Sequence, residues 1–196
     1  MRIRPTPSSR LARTSMMISM FERVETTRLV LRKPERSDAA AIFARYASDA
    51  EVTRWLAWPR HTTLQATSAF LDFSDAEWLR WPVGPYLIES RQDSRLLGST
   101  GLAFESPDCA ATGYVIARDV WGNGYATEAL GAVVQIARNA GVIRLYALCH
   151  PENAASERVL RKCGFEYEGR LLQHSKFPNL SQDAVCDVLR YGTSFQ

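Results

Sequence analysis

Residues 27–33 alternate, with Leu29 and Leu31 on one side and Arg28, Val30 and Arg32 on the other, which predicts a strand. Ser37 is placed to N-cap a helix reaching about Tyr46, with Ile42, Phe43 and Tyr46 as its apolar face. An aromatic-rich loop follows at 55–59. Thr62-Thr63-Leu64-Gln65 then fits a capping box, so a second helix is expected, with Ala66, Ala69, Phe70, Phe73 and Glu77 along one face. Residues 86–91 and 96–105 read as a strand pair across the turn Gln92-Asp93-Ser94, and 112–117 as a further strand. Between Gly124 and Asn139, Ala126, Leu130, Val133, Val134 and Ala137 form a helical stripe. Residues 144–149 form a buried strand. Asn153 can cap a short helix that runs to about Cys163 and stops at Gly164. Segments 165–172 and 185–191 close the chain as two strands. The order β-α-α-β-β-β-α-β-α-β-β predicts a mixed α/β (α+β) fold in one domain of about 170 residues.

Composition changes this picture little. The 196 residues are 46% hydrophobic and 23% charged, enough for a core without disulfide or metal staples. No stretch approaches the roughly 18 uninterrupted apolar residues of a membrane span. Charge is more informative. Residues 1–20 contain Arg2, Arg4, Arg10 and Arg13 and no acid, whereas the other 176 residues carry 20 basic and 21 acidic side chains. The net charge of +3 therefore belongs to the tail, and the usual inference from basicity to nucleic acid fails. The tail has the composition of a transit peptide but no apolar helical face. Met16, Met17 and Met20 read as alternative starts, with residues 1–20 expected to be disordered or non-native and 21–196 to form the domain.

Cys109, Cys149, Cys163 and Cys186 show no C-x-x-C spacing, and His61, His150 and His174 are scattered, so no metal site is expected. Four cysteines without a secretion signal read as cytosolic thiols. A cysteine hydrolase built on Cys149 and His150 is excluded, because neighbours on a strand point to opposite faces.

The segment Trp121-Gly122-Asn123-Gly124-Tyr125-Ala126-Thr127 lies between a predicted strand and a predicted helix. Its glycines permit positive φ and a close approach of backbone to ligand. The helix N-terminus behind them offers unpaired amides and the positive end of the helix dipole, an anion site suited to a diphosphate. Asn123 could add a donor and Arg118 a charge. A tight strand-to-helix turn is the alternative reading. The third glycine of a dinucleotide fingerprint and the Lys-Ser/Thr of a P-loop are both missing, so NAD and ATP fit poorly.

A second segment, His150-Pro151-Glu152-Asn153-Ala154-Ala155-Ser156-Glu157-Arg158-Val159-Leu160-Arg161-Lys162-Cys163-Gly164-Phe165, also leads from a strand into a helix. Together the two segments resemble the Gcn5-related N-acetyltransferase (GNAT) family, in its ribosomal-protein N-terminal acetyltransferase-like (RimJ/RimL-type) branch. The opening E-T-x-R-L-x-L-R at 25–32 and D-V-L-x-Y at 187–191 agree, so the resemblance spans about Phe21 to Gly192. It implies a mostly antiparallel central sheet splayed between two parallel strands, 112–117 and 144–149, with acetyl-CoA in the V. Loop 121–127 would hold the diphosphate. The family's Q/R-x-x-G-x-G/A signature falls on Trp121, Gly124 and Ala126, with Trp121 departing from Gln/Arg. Backbone groups of Val115, Ile116 and Ala117 would pair with the pantetheine arm, and Asn153 would contact it. Arg158 and Arg161 would reach the adenosine phosphate or ring, or else form a solvated helix face.

The implied reaction is direct attack of a neutral primary amine on the thioester, with backbone N–H groups polarising the carbonyl. Ser156 matches a serine that hydrogen-bonds or protonates the departing thiolate, or is a helix-cap hydroxyl. Tyr114 is an alternative donor. Many relatives carry an acid two residues before the Gly-Tyr pair, but here that position is Ala111. His150 has a suitable ordinary pKa for a base, or else orders the turn that follows it. Glu105 and Asp108 are alternatives on a loop.

Trp55, Trp58 and His61, with the hairpin loop 174–180, would border the acceptor. An aromatic rim suits a peptide end or an aromatic amine. The expected activity is thus acetylation of a protein N-terminal α-amine or a small amine in the cytoplasm by a monomer or homodimer, with no metal, nucleic acid or membrane partner. The alternative is a non-catalytic CoA-binding or regulatory module of the same fold.

Overall fold

In the computed structural model, residues 21–181 and 183–196 are described, and the expectations for residues 1–20 fall outside them. Eight strands make one sheet: β1 (Arg23–Glu25), β2 (Leu29–Arg32), β3 (Pro85–Ser90), β4 (Leu96–Ser106), β5 (Cys109–Ile116), β6 (Arg144–Cys149), β7 (Glu166–Lys176) and β8 (Val185–Ser194). Their spatial order is β1-β2-β3-β4-β5-β6-β8-β7. Every neighbouring pair is antiparallel except β5 and β6, which are parallel. The predicted mixed α/β class and the parallel pair are both present. β1 was not predicted, because three residues are too short for a legible alternation.

Helices α1 (Ala39–Ile42), α2 (Ala50–Thr53), α3 (Leu64–Arg80), α4 (Tyr125–Asn139) and α5 (Ala154–Lys162) flank the sheet. The first predicted helix is corrected. Ser37 lies inside a 3-10 turn, Arg36–Asp38, and α1 runs on as a π turn through Phe43–Ala47. Asp38, not Ser37, organises this start. Its carboxylate takes the Glu35 N–H at 2.7 Å and the Arg32 guanidinium at 2.7 and 2.8 Å.

The cap of α3 also shifts by one residue, to Thr63, whose hydroxyl accepts from the Ala66 N–H. The buried stripe of α3 is Thr67, Leu71, Ser74 and Trp78, whereas Phe73 is 52% exposed. Counting apolar residues chose the wrong face here, because two of the inward positions hold small hydroxyl residues. Thr67, for example, pairs with His61 Nδ1 at 2.9 Å. The expected stripe of α4 holds better. Leu130, Val133, Val134 and Ala137 are buried, joined by Ala129 and Ile136, while Ala126 is partly buried.

One contiguous core joins the sheet to α4, from Leu29 and Leu31 through Leu87, Leu97 and Ala110 to Leu130, Val133 and Leu145. This rigid platform positions the ends of β5 and β6.

Candidate active site

Parallel pairing of β5 and β6 covers only Cys109 with Arg144, Ala110 with Leu145 and Ala111 with Tyr146. Beyond these residues β5 stays registered on β4, through Gly98 opposite Ile116, while β6 follows β8 to Cys149 opposite Leu189. The two strands therefore part, and the β6-facing edge of β5 is open from Thr112 to Ile116. A strand edge with unpaired backbone groups demands a partner. An extended chain carrying amides is the fitting one. β5 is pressed hard onto β4 here, since a Cβ built on Gly98 would lie 2.0 Å from the Val115 carbonyl oxygen.

At the wide end of the V the chain makes a 3-10 turn, Arg118–Val120, and enters loop 121–124 before α4. Gly122 and Gly124 hold φ of +79° and +78°, a region that side-chain-bearing residues disfavour. Gly124 is the N-cap of α4, and no side chain caps it. The first helical bond is Glu128 N–H to the Gly124 carbonyl. The amides of Tyr125, Ala126 and Thr127 thus precede the ladder and are free for an anion.

The loop is braced from within and from behind. Trp121 Nε1 donates to the Ile116 carbonyl at 2.7 Å. The Asn123 side-chain amide donates to the Val120 and Trp121 carbonyls, both at 3.1 Å, so it shapes the loop and does not serve as the spare donor expected from sequence. Arg118 is likewise engaged, with Asp49 at 3.0 Å.

Sequence reasoning missed the residues that hold this loop to the sheet. Arg28 donates to the Asn123 carbonyl at 2.9 Å and to Glu128 at 2.6 Å, and it lies 4.6 Å over the Tyr125 ring. Glu128 also accepts from the Arg28 N–H at 2.7 Å and the Thr26 hydroxyl at 2.6 Å. Burial opposes the charged form of Glu128, but these bonds outweigh it and hold its carboxyl below the ordinary range. Part of the signal existed, since Arg28 lies inside the motif at 25–32 and Glu128 directly follows loop 121–127, but nothing in a linear pattern joins positions 28 and 128.

Asn153 caps α5 as expected, its side chain accepting from the Ser156 N–H at 3.1 Å. That leaves the Ser156 hydroxyl free to meet Tyr114, whose phenol donates to it at 3.3 Å. The two predicted donors are thus brought together across the V from β5 and α5. Burial pushes the Tyr114 phenol up to about 12, against the pull of Ser156. Arg161 is engaged with Glu157 at 3.1 Å and with the Tyr191 hydroxyl at 3.3 Å. Arg158, one turn before it, is exposed and has no ion-pair partner among the described residues.

His150 sits between two rings, 4.6 Å from Trp55 and 4.9 Å from Phe177. Its Nδ1 accepts the Glu152 N–H at 3.2 Å, which places the ring proton on Nε2. Burial lowers its pKa against the opposing charge of Glu152. This geometry orders the turn after β6 and leaves no free lone pair for proton abstraction. The aromatic loop and the last hairpin are bolted together by Asn179. Its amide donates to the Thr53 and Trp58 carbonyls at 2.7 and 2.9 Å, and its oxygen accepts the Arg60 N–H at 2.7 Å.

Comparison with known proteins agrees with this geometry. The family described as acetyltransferase (GNAT) domain matches residues 28–166. The chain is 33% identical over 163 residues to the N-acetyltransferase YoaA of Bacillus subtilis (strain 168), covering 79% of this chain and 89% of that protein. Among solved structures, the ribosomal L7/L12 α-N-protein acetyltransferase RimL, in complex with coenzyme A, superposes with a TM-score of 0.78 at 23% identity, over 89% of this chain and 98% of that one. RimJ of Mycobacterium smegmatis, in complex with CoA-disulfide, gives 0.72 at 25% identity, over 85% and 81%.

Proposed function

The chain belongs to the GNAT acetyltransferase family and is an acetyl-CoA-dependent acyltransferase, and from that premise we propose that it acetylates the α-amine at a peptide N-terminus. In this reading residues 21–196 act as one unit. The pantetheine arm adds as a strand along Val115, Ile116 and Ala117. Its diphosphate rests on the amides of loop 121–127, from Trp121 and Gly122 to Thr127, with Asn153 against the arm and Arg158 at the nucleotide end.

The observation that carries the reading is the Tyr114–Ser156 contact inside the V. A thiolate leaving at that point would meet the Ser156 hydroxyl, which is itself polarised by the Tyr114 proton it accepts, and such a hydroxyl chain donates more readily than either group alone. His150 acts as a wall of the acceptor site and an organiser of its turn, not as a base. The choice of a peptide end rests on the acceptor walls. Trp55 and His150 are half-buried aromatic rings in contact, backed by the buried Phe177, and such a wall suits the apolar and planar groups of a peptide. RimL, named for an α-N-protein acetyltransferase activity, shares this fold.

The test is acetyl-CoA turnover, read as free-thiol release, against N-terminal peptides, polyamines and aromatic amines. Peptide-dependent release is expected to exceed the rest. A preference for polyamines would overturn the acceptor assignment. Tight CoA binding with no release for any amine would favour a CoA-binding module.

A further inference from the structure

The transfer reaction produces a proton on the attacking nitrogen, and the residues on the helix side of the V donate rather than accept. β5 carries Tyr114 toward α5. Ala111, three positions earlier, faces the other side of the sheet, and it is paired with Tyr146 of β6 at the last rung before the strands part. Tyr146 Oη donates to the Glu105 carboxylate on that side. Glu105 belongs to β4, at the end of the predicted strand 96–105, and only Asp108 of the two alternative bases lies in the turn. It falls at the irregularity in the β4–β5 register between Phe104 and Ser106, two positions beyond Ala103 on the face that carries Ala111, within reach of β6. The surface beside it is built from small side chains. Ala103 pairs with Ala111, Gly101 with Gly113, and a Cβ built on Gly113 meets nothing within 4 Å. An amine can therefore reach the apex of the V from this side.

We infer that Glu105, held by Tyr146, is the group that takes the proton from the acceptor amine. This rests on the acetyl-transfer reading and deepens it. The Glu105 carboxylate takes a proton from the acceptor ammonium, the freed nitrogen lone pair forms the C–N bond as the C–S bond breaks, the thiolate takes a proton from the Tyr114–Ser156 side, and the proton left on the new amide nitrogen returns to that hydroxyl pair through water. Tyr146 is a positioning residue.

The groups facing this pair are Cys109 of β5, whose thiol lies 3.6 Å from Glu105, and Arg190 of β8, whose guanidinium lies 4.2 Å over the Tyr146 ring. Arg190 is itself paired with Glu168 of β7 at 3.2 Å, and Glu168 also meets Arg144 of β6. Asp108, in the turn between β4 and β5, accepts from the Ser106 hydroxyl. Burial and the adjoining Glu105 charge push the Tyr146 phenol up to about 12, so it stays a donor across the working range. The competing bases are spent, since His150 Nδ1 accepts a backbone N–H and Asp108 is bound in its own turn.

The experiment compares the wild type with Glu105→Gln, Glu105→Asp and Tyr146→Phe across a series of amines of differing basicity, with acetyl-CoA affinity measured in parallel. Glu105→Gln is expected to lower kcat about 100-fold for strongly basic amines at neutral pH, the scale of general-base catalysis. The deficit should shrink for weakly basic amines, and as pH rises through the ammonium pKa of the acceptor. Glu105→Asp should recover part of the rate, and Tyr146→Phe should lose about 5-fold with the same dependence on basicity. An unchanged rate in Glu105→Gln, or an equal deficit for all amines and pH values, would overturn the role of Glu105 alone. Absence of amine-dependent thiol release in the wild type would overturn the acetyl-transfer reading, and this assignment with it.

Discussion

β5 and β6 each place one tyrosine at the V, on opposite faces of the sheet, and their surroundings differ. Tyr114 meets a neutral hydroxyl, Ser156, in a setting closed by α5. Tyr146 meets a carboxylate, Glu105, and carries the Arg190 guanidinium over its ring. Both phenols are pushed up to about 12. For Tyr114 the cause is burial, which Ser156 partly relieves. For Tyr146 it is burial reinforced by the neighbouring negative charge. In the proposed reaction the same side chain serves two tasks, set by what stands beside it. On the α5 side it can give hydrogen-bonding power to a departing thiolate. On the other side it fixes the position of a proton acceptor.

The comparison is broken most severely by closing the strand that joins the two faces. Gly98→Ala places a methyl group on the Val115 carbonyl and should cost about 3 kcal/mol of stability, read from urea unfolding. Coenzyme A affinity should fall with it.

Removing the donor side alone is next. The double variant Tyr114→Phe with Ser156→Ala should lose about 100-fold in kcat with acetyl-CoA affinity kept, while each single variant loses less because the other hydroxyl remains. Steady-state and single-turnover kinetics check this.

A third variant separates binding from chemistry. Glu128→Ala frees Arg28 and unmoors loop 121–124, so KM for acetyl-CoA should rise about 10-fold with kcat nearly unchanged. The same carboxylate makes a pH prediction. Its folded pKa lies below its unfolded value, so its stabilising contribution is present above the unfolded value and is lost as pH falls through the folded one. Glu128→Gln should therefore lower the unfolding midpoint at neutral pH and flatten its decline in acid.

The smallest effect is expected at the acceptor wall. Asn179→Ala removes three hydrogen bonds between the hairpin loop and the aromatic loop. It should cost about 2 kcal/mol and raise KM for the acceptor, not for acetyl-CoA.

Local signals in the chain were sufficient for much of this architecture. The strand at 27–33, the stripe of α4 and the Asn153 cap each depend on residues a few positions apart, and each is present, although the strand narrows to Leu29–Arg32 and buries Val30 along with Leu29 and Leu31. The glycines before α4 were legible too, because positive φ is a property of the residue itself. The sequence alone therefore determined the order of most elements, the helix N-terminus with free amides, and the family.

Three things were decided by tertiary structure. The inward face of α3 depended on what Thr67 and Ser74 meet, not on their polarity. The bracing of the anion loop joined Arg28 to Glu128 across one hundred positions. The divergence of β5 from β6 after Ala111 set Tyr114 and Tyr146 on different faces and brought Ser156 to one and Glu105 to the other. Hydrophobic periodicity records how each element buries itself. It carries no term for which side chains two distant elements will bring within hydrogen-bonding reach, and the chemistry of this site is made of those pairs.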